Sequence, residues 1–217
     1  ALLQLGHAET VRTYIPDILA SQEADGRIPP IQGSDIPWDA DEWDAQGQAI
    51  FLGTMYYRYT DEIDALRRWY PSLRAAARFI VELRETQADS DPSTRGLLPP
   101  SKSAEDLGPV DRHYYWDNFW AVVGLEEGAY AARELGEMED AVWMAAEADA
   151  LREAILDSVE AVMGSEPSYI PGAVEEVESS AMARGTVPVL WPVRVLSPEE
   201  PLVARSFDHY YQQWIAP

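Results

Sequence analysis

Cysteine is missing from this chain of 217 residues, and lysine occurs once, at Lys102. Without cysteine the chain forms no disulfide, binds no metal through thiolate and uses no cysteine nucleophile. The absence of cysteine does not indicate whether the protein resides in a reducing or an oxidising compartment. No apolar run approaches the roughly 20 residues of a membrane-spanning helix. We therefore expect a soluble protein that does not bind membranes, with the cytoplasm slightly favoured as its compartment.

Motifs for nucleotide and metal binding are missing as well. Neither GxGxxG nor GxxxxGK[ST] occurs, which argues against enzymes that use nucleotides. The three histidines, His7, His113 and His209, are scattered without an HExxH spacing, so a zinc site is not expected. We expect no metal and no cofactor, and His113 is interpreted as a residue that fills a loop.

Positive charge is scarce, with 16 basic against 38 acidic residues and a formal net charge of −22. A surface this negative repels phosphate backbones, so nucleic acid is excluded as an expected partner. The remaining composition, 47% apolar and 25% charged, is ordinary for a globular protein with a real core.

Helical periodicity dominates what is present, and it predicts an all-α fold. Asp41 is predicted as the N-cap of the second helix, and Pro71 either kinks the third helix or begins a new segment. The predicted helices cover residues 1–22, 43–59, 61–86, 118–135, 138–162 and 199–214.

The helices repeat as pairs. Residues 43–84 and 118–163 each form two helices joined by a minimal turn, and Thr60 lies 76 residues before Gly136 at the matching place. Long connections rich in Gly, Pro and acidic residues separate the pairs. Short turns at one end and long loops at the other predict stacked helical hairpins whose loops share one face. A toroid of hairpins is favoured, and a solenoid or helical bundle is the alternative.

Three stretches resemble the six-hairpin glycosidases, the (α/α)6-barrel glycoside hydrolases. They are "WDAQGQAIFLGTMYYRYTDE", "GLLPPSKSAEDLG" and "HYYWDNFWAVVGLEEGAYAARELGE", and the likeness is closest to the bacterial glucoamylase-like branch, with the trehalases and processing α-glucosidases. The resemblance covers roughly residues 22–215 and implies a single partial catalytic-type domain over residues 1–217, about half of a barrel. The chain is then a fragment, or a second chain or copy closes the open half.

The resemblance implies an inverting glycoside hydrolase acting on an α-glucoside-like sugar. Such enzymes use two carboxyl groups on the order of 6.5–9.5 Å apart. The resemblance places the general base beyond Pro217, so the isolated chain is expected to be inactive or incomplete. The alternative is a carbohydrate-binding or scaffold protein of helical hairpins that lacks the base. A sugar epimerase or lyase would use histidine and tyrosine, and the few histidines weigh against it.

The resemblance places the general acid at Asp117, inside "HYYWDNFW" at residues 113–120. Neighbouring rings would desolvate this carboxyl and raise its pKa toward the working pH. The competing interpretation makes Asp117 an ordinary helix N-cap, for which the helix dipole lowers the pKa. The two interpretations agree only if Asn118 caps the helix and Asp117 lies one residue outside it.

Sugar-binding sites combine aromatic platforms with polar side chains that bind hydroxyls. Trp38 and Asp39 are predicted to contact sugar, whereas Asp44 is predicted to be structural. Arg27 either bridges two sugar hydroxyls or pairs with an acid on the surface. The remaining binding candidates are Trp43, which is alternatively a core residue, Trp116, Asn118 and, from the resemblance, Glu105.

Overall fold

The structure, a computed structural model, describes residues 1–30, 41–102, 109–177, 189–190, 192–214 and 216. These residues form helices and isolated bridges but no β-strand, so the predicted all-α class is confirmed. Within the same ranges no helix is long and apolar enough to cross a membrane. The helices are α1 (Ala8–Ala20), α2 (Asp44–Thr60), α3 (Ile63–Glu85), α4 (Tyr115–Leu135), α5 (Met138–Met163) and α6 (Pro201–Trp214).

Two of the hairpins, α2–α3 and α4–α5, share the same turn. Asp61 ends α2 and Gly136 ends α4, both in the left-handed conformation with φ of 57° and 83°. Glycine adopts this conformation freely, and aspartate tolerates it better than most residues. In each turn the backbone N–H two residues on bonds back to the cap carbonyl, from Ile63 at 2.9 Å and from Met138 at 3.0 Å. The predicted repeat of helical pairs is confirmed.

Helices α2 and α4 run parallel and form an inner layer. Trp116 Nε1 donates to Asp44 Oδ2 at their N-terminal ends, and the Tyr57 hydroxyl donates to Glu134 Oε2 at their C-terminal ends, both at 2.7 Å. Helix α3 packs against α2 and α4, and α5 packs against α4. The hairpins therefore form part of a toroid with an inner and an outer helix in each pair.

Two glycines set the distance between α2 and α4. A Cβ added at Gly47 would overlap the backbone carbonyl oxygen of Trp120, and one added at Gly124 would lie 2.6 Å from the Cα of Gly47. Neither atom belongs to a flexible side chain, so no residue larger than glycine fits without separating the helices. The first turns of both helices are consequently held within side-chain reach of each other.

The long connections meet at the N-terminal end of this helix pair. The Lys102 amide donates to the Asp41 carbonyl at 2.9 Å, which joins the connection before α4 to the connection before α2. The Val174 amide donates to the His113 carbonyl at 3.1 Å, which joins the connection before α6 to the start of α4. The described parts of the three connections therefore share one face, as the sequence predicts.

The helix near the N-terminus is shorter than predicted. Helix α1 begins at Ala8 rather than within residues 1–7, which form turns with Gly6 at φ 83°. Val11 and Ile15 are buried as expected, but Leu2 is 44% exposed. Ala1 thus lies outside the helix, because the chain turns at Gly6, and of the residues before it only Leu3 packs against the core.

A prediction about the end of α2 is wrong, and one of the two alternatives for Pro71 is excluded. Trp43, not Asp41, is the N-cap of α2, and no side chain makes a capping hydrogen bond there. The Asp41 carboxylate instead lies 3.8 Å from the Arg27 guanidinium. Pro71 lies in the interior of α3 and does not begin a new segment.

We expect Gly47→Ala to lower the free energy of unfolding by roughly 2–3 kcal/mol, the upper part of the usual range for overpacking. The added methyl overlaps a backbone carbonyl, which cannot rotate away. Urea unfolding followed by circular dichroism measures the change.

Gly53→Ala in the same helix is the matched control, because its added Cβ meets the Leu73 methyl groups at 3.1 and 3.2 Å, and these can shift. Helix propensity also favours alanine by about 1 kcal/mol. The control should stay within about 1 kcal/mol of the wild type. Equal effects at the two positions would contradict the argument.

Candidate functional site

Asp117 lies within the first turn of α4. The helix begins at Tyr115, and its N-cap residue, Tyr114, makes no side-chain capping bond. The structure therefore excludes the interpretation of Asp117 as the N-cap. It also excludes the arrangement in which Asn118 caps the helix with Asp117 outside it. The carboxyl is 2% exposed, so its surroundings are other side chains rather than water.

The two oxygens of Asp117 have different environments. Oδ2 accepts a hydrogen bond from the Ser101 hydroxyl at 2.5 Å, whereas Oδ1 is buried without a hydrogen-bond partner among the described residues. The backbone N–H of Trp43 lies near the carboxyl and lowers its pKa by less than Ser101 does. Ser101 is itself held by an antiparallel bridge to Arg112, with N–O distances of 2.9 and 3.3 Å. An ionised carboxylate with an unsatisfied buried oxygen is costly, and a proton on Oδ1 removes the charge.

Burial raises the pKa of Asp117 well above its ordinary value, and the neighbouring Asp44 carboxylate raises it further. The Ser101 hydroxyl lowers this pKa, and Glu42 raises it by a smaller amount. Asp117 therefore keeps its proton at a pH where an exposed aspartate is ionised. That property is what a general acid needs.

Asp44 is the first residue of α2 and is 7% exposed. Its Oδ2 accepts hydrogen bonds from Trp116 Nε1 and Gln48 Nε2, each at 2.7 Å. Burial raises the pKa of Asp44, while the bonds from Trp116 and Gln48 lower it. The sequence predicts a structural role for this residue, and the structure adds an electrostatic effect on Asp117.

Trp116 and Trp120 stand beside the carboxyl pair. Their rings meet edge to face with centroids 6.2 Å apart, and Trp116 is half-buried. The Trp120 ring also contacts Phe51 edge to face at 5.7 Å. Trp116, which is bonded to Asp44, thus brings aromatic surface to the Asp44 carboxyl, while Asp117 is desolvated by its own burial.

Arg27 and Trp43 lie together at the same end of the helix pair. Trp43 is 6% exposed, and its Nε1 donates to the Pro99 carbonyl at 3.2 Å, so its ring belongs to the core. The Arg27 guanidinium lies 5.7 Å from the centroid of that ring. Its Nη2 lies 3.8 Å from the Asp41 carboxylate. The acid partner considered for Arg27 in the sequence is therefore present.

Asn118 is 1% exposed and uses both ends of its amide within the protein. Its Oδ1 accepts from the Leu98 amide at 2.9 Å, and its Nδ2 donates to the Tyr114 carbonyl at 2.8 Å. These bonds tie the preceding connection to α4, so Asn118 holds the backbone in place. The other binding candidates, Trp38, Asp39 and Glu105, lie outside the described residues.

Sequence reasoning missed two polar contacts of this region. Ser101 bonds to Asp117 across 16 positions, and His113 contacts Glu175 across 62 positions. Neither pair has a local spacing signal, because the folded connections alone bring the partners together. In the described ranges no group of three or more His, Asp or Glu side chains is arranged to hold a metal ion.

Comparison with protein-family models and with curated proteins finds no match. Among solved structures, the crystal structure of a GH78 family rhamnosidase of Bacillus sp. GL1 matches with a TM-score of 0.69 and 17% sequence identity. The match covers 98% of this chain and 21% of the rhamnosidase, so the chain spans about a fifth of that protein's length. At this identity the likeness shows the fold alone: the helices of this chain are arranged like those of the matched part of the rhamnosidase.

We expect Asp44→Asn to lower the pKa of Asp117, because the change removes the neighbouring negative charge but keeps an acceptor for Trp116. The carboxyl 13C shift of Asp117 followed against pH measures this pKa. Glu42→Gln is the graded control and should lower the pKa by less. Superimposable titration curves for the wild type and Asp44→Asn would show that the two carboxyls do not interact.

The raised pKa of Asp117 also makes stability depend on pH. The folded state binds this proton more tightly than the unfolded state, whose aspartate titrates at about 3.9. The stabilising contribution is thus fully present below about pH 3.9 and is lost as the pH rises through the folded pKa of Asp117.

Asp117→Asn should therefore flatten the decline in unfolding free energy above about pH 4, as measured by urea unfolding at a series of pH values. Asparagine keeps an oxygen to accept from Ser101, so packing is little changed. The control is Asp64→Asn, at a side chain that is 87% exposed. If the unfolding free energies of the wild type and of Asp117→Asn changed in parallel with pH, Asp117 would not hold a proton in the folded state.

Proposed function

We propose that this chain forms one wall of the sugar cleft of an inverting glycoside hydrolase, with Asp117 as the general acid. The observation that carries the proposal is the buried carboxyl of Asp117, whose raised pKa keeps it protonated at the end where the long connections meet. The toroid fold and the aromatic surroundings support the same conclusion.

The geometry suggests which oxygen delivers the proton. The Ser101 hydroxyl donates to Oδ2, so Oδ2 acts as an acceptor and the proton resides on Oδ1. During glycoside cleavage this proton passes to the glycosidic oxygen as the bond to the anomeric carbon breaks. Because Oδ1 is buried, the surrounding side chains must move when the sugar binds.

Asp44 is not assigned as the general base. An inverting enzyme activates water on the face of the sugar opposite the acid. Asp44 lies at the same helix end as Asp117 and is bonded to Trp116, the residue next to Asp117. In the proposal Asp44 sets the proton affinity of the acid, and the base belongs to another part of the toroid.

The substrate class rests on two sources that differ. Resemblance to the glucoamylase-like branch favours an α-glucoside-like sugar, whereas the protein with the matching fold is a rhamnosidase. Neither Asp117 nor its rings distinguish the two sugars. The substrate panel must therefore contain both glucosides and rhamnosides.

A non-catalytic carbohydrate-binding or scaffold role is the second candidate. It is favoured by the 2% exposure of Asp117 and by the full use of the Asn118 amide inside the protein. In that case the buried carboxyl pair would organise the cleft wall without transferring a proton.

We expect Asp117→Asn in the full natural protein to lower kcat by about 10²–10⁴-fold on glycosides with poor leaving groups, since general acid catalysis contributes that much. The loss should be much smaller for dinitrophenyl glycosides, whose leaving group departs without protonation. Methyl glycosides, whose alkoxide leaving group needs a proton, and dinitrophenyl glycosides form the panel, each as the glucoside and the rhamnoside of both anomers.

Ser101→Ala is the companion variant. Removing its hydroxyl raises the pKa of Asp117 further, so the alkaline limb of the pH profile should move upward with activity retained. An equal loss for good and poor leaving groups in Asp117→Asn would contradict the acid role. Sugar binding without turnover by the wild type would favour the binding protein.

A further inference from the structure

His113, immediately before α4, is fixed by a carboxylate. The residue is 8% exposed, and its Nδ1 lies 2.6 Å from Glu175 Oε1. The backbone N–H of His113 also donates to Glu175 Oε2 at 3.0 Å. One carboxylate therefore holds both the imidazole and the backbone that carries it.

The backbone around this pair is equally constrained. The Val174 amide donates to the His113 carbonyl, and the Tyr115 amide donates to the Gly172 carbonyl, both at 3.1 Å. These bonds place Glu175 beside α4 independently of its side chain. The next charged groups form their own ion pair, Arg112 Nε with Glu176 Oε1 at 3.2 Å.

The carboxylate determines where the imidazole proton lies. Burial alone would raise the pKa of Glu175, but the hydrogen bonds from the His113 ring and amide bring it below its ordinary value. An ionised carboxylate accepts hydrogen bonds only, so the Nδ1 that faces it must carry a proton.

The other ring nitrogen, Nε2, is buried and has no hydrogen-bond partner among the described residues. An orphaned buried N–H is rarer in folded proteins than an under-satisfied acceptor, and a proton on both nitrogens would add a buried positive charge. Asp117 Oδ1 and Trp120 Nε1, one turn apart on α4, are also buried without partners. Unsatisfied polar atoms are rare in folded proteins, and three of them fall within residues 113–120.

We propose that His113 is a built hydrogen-bond acceptor for a hydroxyl group, neutral with its proton on Nδ1 and with an Nε2 lone pair that receives O–H from water or from a sugar. Glu175 is the positioning residue that fixes the tautomer. The proposal that a sugar hydroxyl donates to Nε2 rests on the proposed function above. The proposal that water donates to Nε2 does not.

The test is imidazole 15N–1H spectroscopy of the histidine-labelled full protein at neutral pH, with and without glucose or rhamnose as the probe. The resonances that are absent from a His113→Gln variant are those of His113. We expect the Nδ1–H tautomer for His113 and an Nε2 resonance displaced from that of an unbonded lone pair.

Displacement without sugar assigns the donor to water, and a displacement that needs glucose or rhamnose assigns it to the sugar. A His113 with its proton on Nε2, an imidazolium, or an unbonded lone pair under every condition would overturn the proposal. The readout is a chemical shift and does not depend on catalysis. The result for His113 is therefore valid even if the protein shows no turnover.

Glu175→Gln and Glu176→Gln form a matched pair of neighbouring variants. Glu175→Gln should abolish the single tautomer, because the neutral amide no longer imposes a proton on Nδ1. Glu176→Gln, which removes the partner of Arg112 instead, should leave the His113 spectrum unchanged. An unchanged tautomer in a folded Glu175→Gln protein would remove Glu175 from its positioning role.

Discussion

The backbone contact between Gly47 and Gly124 is the constraint on which the site depends. It lets two parallel helices approach without intervening side chains, so the turns that begin them lie side by side. Asp44 opens one helix and Asp117 lies in the first turn of the other. A parallel pair held apart by ordinary side chains would leave these carboxyls in separate environments. The packing of these two glycines thus brings the Asp44 and Asp117 carboxyls close enough to interact electrostatically.

The direction in which the pKa of Asp117 shifts follows from comparing four effects. A helix N-terminus favours a negative charge by about 0.3–1 kcal/mol when exposed, and the Ser101 hydrogen bond acts in the same direction. Removing a carboxylate from water costs several kcal/mol, and the second carboxylate adds repulsion. Burial therefore outweighs the dipole, and the proton is kept. Groups with such perturbed pKa values cluster at functional sites, which is why Asp117 carries more weight than the exposed acids.

The sequence predicts the middle of this fold better than its ends. The bounds of α2 and α5 fall within about one residue of the predicted ones, because a long apolar period repeats there. The sequence predicts the start of α4 at Asn118, whereas the helix begins at Tyr115, whose amide bonds to the Gly172 carbonyl. The carbonyl of a residue distant in sequence replaces the capping side chain, and no local sequence pattern predicts such a bond. Asp117 is singled out by the resemblance to the six-hairpin glycosidases, whereas Ser101 and Glu175 are brought to Asp117 and His113 by folding alone.

The helical hairpins and the long connections contribute differently to the site. The inner helices place Asp44 and Asp117, but each reactive group is oriented by a residue from a connection: Ser101 for the carboxyl and Glu175 for the imidazole of His113. The two connections are themselves joined through the His113 carbonyl and the Val174 amide. A displacement of either connection would thus change the orientation of both groups while leaving the helical core intact. The orientation of both groups is therefore set by the connections, while the glycine-packed helices fix the positions of Asp44 and Asp117.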